Sequence, residues 1–175
     1  MSNKTIYINR GSILADLRAA YRQSLSDRYL HHTVYLYSDG TTYDYTDVGG
    51  NSWLQGGGIV ETVATYKPDE SGSCIDAWLY GLSAQERVAL YKEYMDSDEQ
   101  ESFVAALADP DRISDPDDIC EIDDWVQDHT GAWDKVCDEA YDYCVSEADS
   151  NGDFDRYLDE CLRRLQYDGY TIIED

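Results

Sequence analysis

The chain has 175 residues and a hydrophobic fraction of 42%, enough for one domain, or two small ones, around a real core. Its 37 acidic and 13 basic residues give a net charge of −24, which opposes binding to bare nucleic acid or to an anionic membrane surface. Sixteen Tyr and four Trp against two Phe exclude a disordered acidic tail and suit shallow cores and interfaces.

Along the chain, "TIYI" (Thr5–Ile8) predicts a short strand. "SILADLRAAYRQSL" follows, with Ser12 as N-cap and Ile13, Leu14, Leu17, Tyr21 and Leu25 along one helical face. "TVYLY" and "TTYDYTDV" flank Ser38-Asp39-Gly40, a hairpin signal that puts Tyr35, Tyr37, Tyr43 and Tyr45 on one alternation face. "VGGNSWLQGGG" is expected as a flexible Gly-rich connection and "IVETVATY" as a further strand. After Pro68 the period changes to that of helices, predicted near 84–95, 98–108, 116–129, 132–148 and 154–167. Ser83–Glu86 and Ser97–Gln100 fit capping boxes, and Asp115-Pro116 supplies a cap and a first-turn proline. "YTII" near the end predicts a last strand able to return to the sheet.

The fold class is therefore α+β: a small N-terminal antiparallel or mixed sheet with one helix, followed by an acidic helical half. The expected division is a strand-rich, near-neutral part over 1–66 and a helical, strongly acidic part over 67–175.

The charge is concentrated. Residues 1–35 carry five bases and two acids, while residues 93–160 carry three bases and twenty-four acids, net −21. Solubility alone asks only for a net charge of magnitude about 2–8 in a small domain. In the helix over 132–148, Val136, Ala140, Trp133, Cys144, Cys137, Ala148 and Tyr141 fall in one arc, and Asp134, Asp138 and Asp142 in another. Like charges four residues apart each cost a few tenths of a kcal/mol, roughly. By contrast, Asp159–Arg163 and Glu160–Arg164 in the last helix pair opposite charges at that spacing. A second acidic row, Asp117, Asp118, Glu121, Asp124 and Asp128, surrounds the helix over 116–129. These eight acids are the candidate partner-binding residues.

Chemical motifs are sparse. "DSNGDFDRYLDE" (Asp149–Glu160) has carboxylates at calcium-loop spacing, but Phe154 stands where the sharp turn needs Gly, and Arg156 where an aliphatic is usual. A turn at Asn151-Gly152 with Asp153 capping the next helix fits better. Five Cys without paired spacing are expected as free thiols in a reducing cytoplasm, and no zinc pattern joins them to the three His. No cofactor, metal or enzymatic activity is expected. No apolar run approaches the roughly 20 residues of a membrane span, and the N-terminus lacks a signal-peptide core.

Duplex DNA carries one negative charge per roughly 1.7 Å, so −24 matches about twelve base pairs, some 40 Å of duplex. In size, acidity and the order of strands and helices, the chain resembles the acidic DNA-mimic inhibitors of phages and mobile elements, such as ArdA-type antirestriction proteins and some anti-CRISPR proteins. The resemblance carries no aligned motif. It implies an inhibitor of a cytoplasmic bacterial defence complex, a restriction–modification enzyme or CRISPR effector, whose basic nucleic-acid groove is the partner. The alternative is an immunity-type or adaptor protein that neutralises one basic partner, such as a nuclease toxin, with Trp125 or Trp133 as aromatic anchors. Any homodimer is expected to form through residues 1–66, because the acidic half repels itself.

Overall fold

In the computed structural model the described residues are 4–26, 30–47, 58–66, 79 and 81–175. They form β1 (Lys4–Ile8), α1 (Arg10–Ser26), β2 (His31–Tyr37), β3 (Thr42–Asp47), β4 (Ile59–Tyr66), α2 (Ala84–Glu93), α3 (Ser97–Leu107), α4 (Ile119–His129), α5 (Ala132–Ser150), α6 (Asp153–Tyr167) and β5 (Tyr170–Glu174). The class is α+β with a helical C-terminal half. The Gly-rich connection expected before β4 lies, up to residue 57, outside the described residues.

The strands make two sheets rather than one. β2 sits between β3 and β4 in an antiparallel three-stranded sheet, and β5 pairs in parallel with β1, from Lys4 opposite Tyr170 to Ile8 opposite Glu174. The hairpin forms at Ser38-Asp39-Gly40, where Gly40 has φ +86°. A side chain there would meet the Tyr7 carbonyl oxygen at 1.7 Å, so glycine serves both the turn and the close approach of β1. On β2 the alternation sends His32, Val34 and Leu36 inward and leaves Thr33, Tyr35 and Tyr37 half-exposed. Tyr43 lies opposite Tyr35 and is exposed, so the tyrosine face looks outward.

The chain divides into two compact units, one of Met1–Cys74 with Asp142–Asp175, the other of Ile75–Tyr141. This is not the expected boundary at residue 66. The cause is apolar: Phe154, Leu158, Cys161, Leu162 and Leu165 on one face of α6 join Ile6, Ile8, Leu17, Val34, Leu36 and Tyr66 in a single cluster. An amphipathic helix must bury its stripe, and α6 buries it against strands and α1. In the second unit Tyr91, Phe103, Ile113, Ile122, Val126 and Val136 are fully buried. The apolar arc of α5 is as the period predicts, with Ala132, Val136, Cys137, Ala140, Tyr141 and Ala148 buried.

Several helix starts differ by a residue or more. Asn9 rather than Ser12 caps α1, its side chain accepting from Ser12 N at 2.9 Å. The box at Ser83–Glu86 forms, but the second uses Asp96 and Glu99, not Ser97 and Gln100. Two carboxylates accept backbone N–H bonds better than a hydroxyl and an amide. α4 starts after Asp118, three residues beyond Asp115-Pro116. Gly152, left-handed at φ +73°, precedes α6, and Asp153 is the first helical residue and not the cap. Cys144 is disulfide-bonded, which corrects the free-thiol expectation at that position.

Candidate functional site

The unit Ile75–Tyr141 contains nineteen acidic and four basic residues, so it carries −15 of the chain's −24. Its cations are drawn inward or locally engaged. Arg87 lies 2.7 Å from Asp123 Oδ2 and donates to the Leu79 carbonyl. Arg112 faces Asp109 at 3.5 Å, and Lys135 donates to the Tyr94 carbonyl at 3.2 Å. Lys92 is half-buried in the last turn of α2. Asp123 is the one acid of α4 built into the interior. Burial pushes its carboxyl above the ordinary range, against the Tyr91 hydroxyl 2.5 Å away and Arg87, which pull it down. Burial, and then the Asp123 carboxylate, drive the Tyr91 phenol far upward in turn.

Seven of the eight candidate acids belong to this unit, and they do different work. Asp117, Asp124, Asp128 and Asp134 are exposed, and their carboxylates make no hydrogen bond among the described residues. Asp118 is the N-cap of α4 and accepts from Cys120 N at 2.9 Å and Glu121 N at 3.4 Å. Glu121 reaches back to the Ser114 hydroxyl and to Ser114 N at 2.7 Å, which hold its carboxyl below the ordinary range. Asp138 is exposed but engaged in an interaction of its own. The reading of these two rows as uniformly outward acids therefore fails at Asp118 and Glu121, which fasten the turn before α4.

The eighth, Asp142, lies in the other unit and is paired, 2.7 Å from Arg22 Nε. The row expected to be unpaired ends here, because one side of α1 carries Arg10, Arg18 and Arg22. Arg18 binds Asp149 at 2.9 Å, and Arg10 binds Asp159 and faces Asp155 at 3.7 Å. The opposite-charge pairs expected within α6 give way to these partners. Arg164 instead donates to the Thr62 carbonyl at 2.7 Å and faces Glu61. The same arginines occupy the calcium-like stretch, where Asp149 and Asp155 meet α1, Asp153 meets Arg156 at 3.1 Å, and Phe154 is buried.

Sequence phase alone passed over other exposed acids of this unit, among them Asp98 and Glu101 on α3 and Glu139 on α5. Their helical phase, opposite Phe103 on α3 and opposite Cys137 and Tyr141 on α5, was the available signal. Beside α4 a pocket of about 600 Å³ is lined by Ser102, Asp111, Arg112, Trp125 and His129. Trp125 stacks with Phe103 (5.4 Å, 22°) and with His129 (4.6 Å, 13°). In the other unit His32 is fully buried, with Nδ1 3.2 Å from Asp44 Oδ2 across the β2–β3 pair.

Among the described residues no cluster of three His, Cys, Asp or Glu side chains is placed to hold a metal ion. None of the described helices is long and apolar enough to cross a membrane. No protein-family model, no curated protein and no solved structure matches the chain.

Proposed function

We propose that this chain is an acidic inhibitor that presents DNA-like charge and occupies the nucleic-acid-binding groove of a bacterial defence protein, a restriction–modification enzyme or a CRISPR effector. The supporting observation is the contrast between its two units. One ties Asp142, Asp149, Asp155 and Asp159 to its own arginines, while Ile75–Tyr141 holds −15 with Asp117, Asp124, Asp128 and Asp134 outward and its arginines engaged with Asp123 and Asp109. Selection for solubility does not separate units in this way. A groove lined with Lys and Arg for phosphates would meet these carboxylates with the same side chains. In this reading the chain is not an enzyme, needs no cofactor, binds neither nucleic acid nor membrane, and acts in the bacterial cytoplasm. Self-association, where it occurs, uses residues 1–66, whose outward tyrosine face includes Tyr35 and Tyr43.

The test is capture from bacterial lysate at low salt, elution with salt, and mass spectrometry. Release of DNA-handling proteins, and their displacement from the chain by added duplex, supports mimicry. A variant carrying Asp→Asn at 117, 124, 128 and 134 should lose capture while remaining folded. Retention of one basic partner that duplex does not displace would favour the immunity-type reading. Of the anchors named for that reading, Trp125 faces inward at 8% exposed, and Trp133 is half-buried with its ring 6.3 Å from that of Tyr91. An eluate without basic proteins, together with full activity of the neutralised variant in a phage-restriction assay, would refute the proposal.

A further inference from the structure

We infer that the pocket beside α4 is the seat of an arginine side chain projecting from the basic partner. This rests on the reading above and deepens it: diffuse acidic charge attracts, and the pocket fixes the register. Four observations carry it. The outward member of the aromatic stack is His129, an exposed ring lying parallel to Trp125 at 4.6 Å. A guanidinium is flat and weakly hydrated, and it stacks on such rings where an ammonium does not.

The second observation is the tautomer. His129 Nδ1 lies 2.9 Å from the Trp125 carbonyl oxygen, which can only accept, so Nδ1 carries the proton of that bond. In the neutral ring Nε2 is then an acceptor. The third is the remaining lining: the Ser102 hydroxyl and the Asp111 carboxylate add acceptors for a group with five donors. Arg112, the one cation on the wall among the described residues, faces Asp109 at 3.5 Å, so the pair adds no net positive charge. The fourth is the field. A unit of net charge −15, with the carbonyl end of α4 at His129, favours a cation over a nucleotide or phosphate.

The chain as a whole is the material for the test. Its tryptophan indole signals are followed by NMR, Trp125 being assigned with Trp125→Phe, during titration with N-acetyl-arginine amide, N-acetyl-lysine amide and adenosine monophosphate. The expected result is a saturable shift at Trp125 and His129 with the arginine probe, at least about fivefold weaker with the lysine probe. His129→Ala and Asp111→Asn, both at exposed positions, should each weaken arginine binding by a similar factor while circular dichroism stays unchanged. Equal response to lysine, a response to adenosine monophosphate, shifts spread over all indoles, or no saturation would each overturn the inference. Capture of DNA-handling proteins persisting in His129→Ala at full strength removes the arginine seat but leaves the charge-mimic reading standing. A saturable arginine site in a chain that captures no basic protein does the reverse.

Discussion

Neutralising acids should stabilise this protein at some positions and destabilise it at others, and the structure says which. Asp117, Asp124, Asp128 and Asp134 are exposed and, among the described residues, have no hydrogen bond to lose. Asp124 and Asp128 stand four residues apart on α4, and Asp134 and Asp138 do so on α5. Each such like-charge contact costs about 0.2–0.5 kcal/mol, and two of them outweigh the roughly 0.3 kcal/mol that exposed Asp134, in the first turn of α5, draws from the helix N-terminus, so the fourfold Asp→Asn variant should gain a net ~0.1–0.7 kcal/mol at low salt. For a chain of this length that raises the thermal midpoint by at most about 3 °C. Asp118→Ala should do the opposite, because it strips the cap from Cys120 N and Glu121 N at a cost of about 1 kcal/mol, or roughly 2–4 °C. Salt separates the two mechanisms. At 1 M the screening length is about 3 Å, shorter than the roughly 5–6 Å between such side chains, so the fourfold gain should vanish. The cap is a hydrogen bond, and its loss should persist. Scanning calorimetry of the three proteins at 20 mM and 1 M NaCl (~50-fold in salt) reads both effects. A fourfold variant that melts below the parent at low salt, or a gain that survives 1 M salt, would refute the assignment of these carboxylates as presented rather than structural.

Tyr91→Phe removes a donor from the partly buried Asp123 carboxylate, at a cost of about 1.5–3 kcal/mol, and should send its titration higher still, as followed by carboxyl-carbon NMR. Because the folded value of Asp123 is already raised, the folded state holds that proton more tightly than the unfolded chain. This group's contribution therefore falls as pH rises from the ordinary Asp value through the raised one, and Asp123→Asn should flatten that part of the stability profile. Glu121 has the opposite sign: its lowered value gives stability that is present above the ordinary Glu range and lost as pH falls through the folded value, and Glu121→Gln should abolish that acid sensitivity. Alkylation of the native protein without reductant should label exposed Cys120, spare disulfide-bonded Cys144, and spare Cys161, whose thiol burial pushes up to about 11; intact mass and peptide mapping read all three. Gly40→Ala should cost more than about 1 kcal/mol, since it places a methyl against the Tyr7 carbonyl at a positive φ, and a midpoint unchanged by that substitution would contradict the close approach.

Local signals carried far along this chain. Asp39-Gly40 marked its hairpin, the tyrosines of β2 and β3 shared a face, and the 3.6-residue period placed every helix after residue 83 within three residues at either end. What short-range reasoning missed was partner choice. Arg10 meets Asp159 across 149 residues, and Arg22 meets Asp142 across 120, so an i,i+4 rule applied to α6 had no view of the arginines on α1. The same blindness misplaced the domain boundary: the apolar stripe of α6 is visible in sequence, but its destination, against strands laid down in the first 66 residues, is not. Among the acids, periodicity distinguished outward from inward. It could not distinguish Asp124, which is merely outward, from Asp118 and Glu121, whose backbone partners exist only once the turn at 114–118 has formed.

The parallel pairing of β1 with β5 also fixes an order of events. Lys4 must find Tyr170, a loop of more than 160 residues, while every contact within Ile75–Tyr141 is made by a contiguous stretch. Closure entropy grows with loop length, so contacts of such separation come late in folding. On a ribosome the contiguous acidic unit can assemble as soon as it emerges, whereas β1 must wait, its pairing edge open, until the last residues of β5 are made. A pulse of hydrogen exchange during refolding should therefore protect the amides of α4 before those of β1, and equal protection times would show that the two ends meet early.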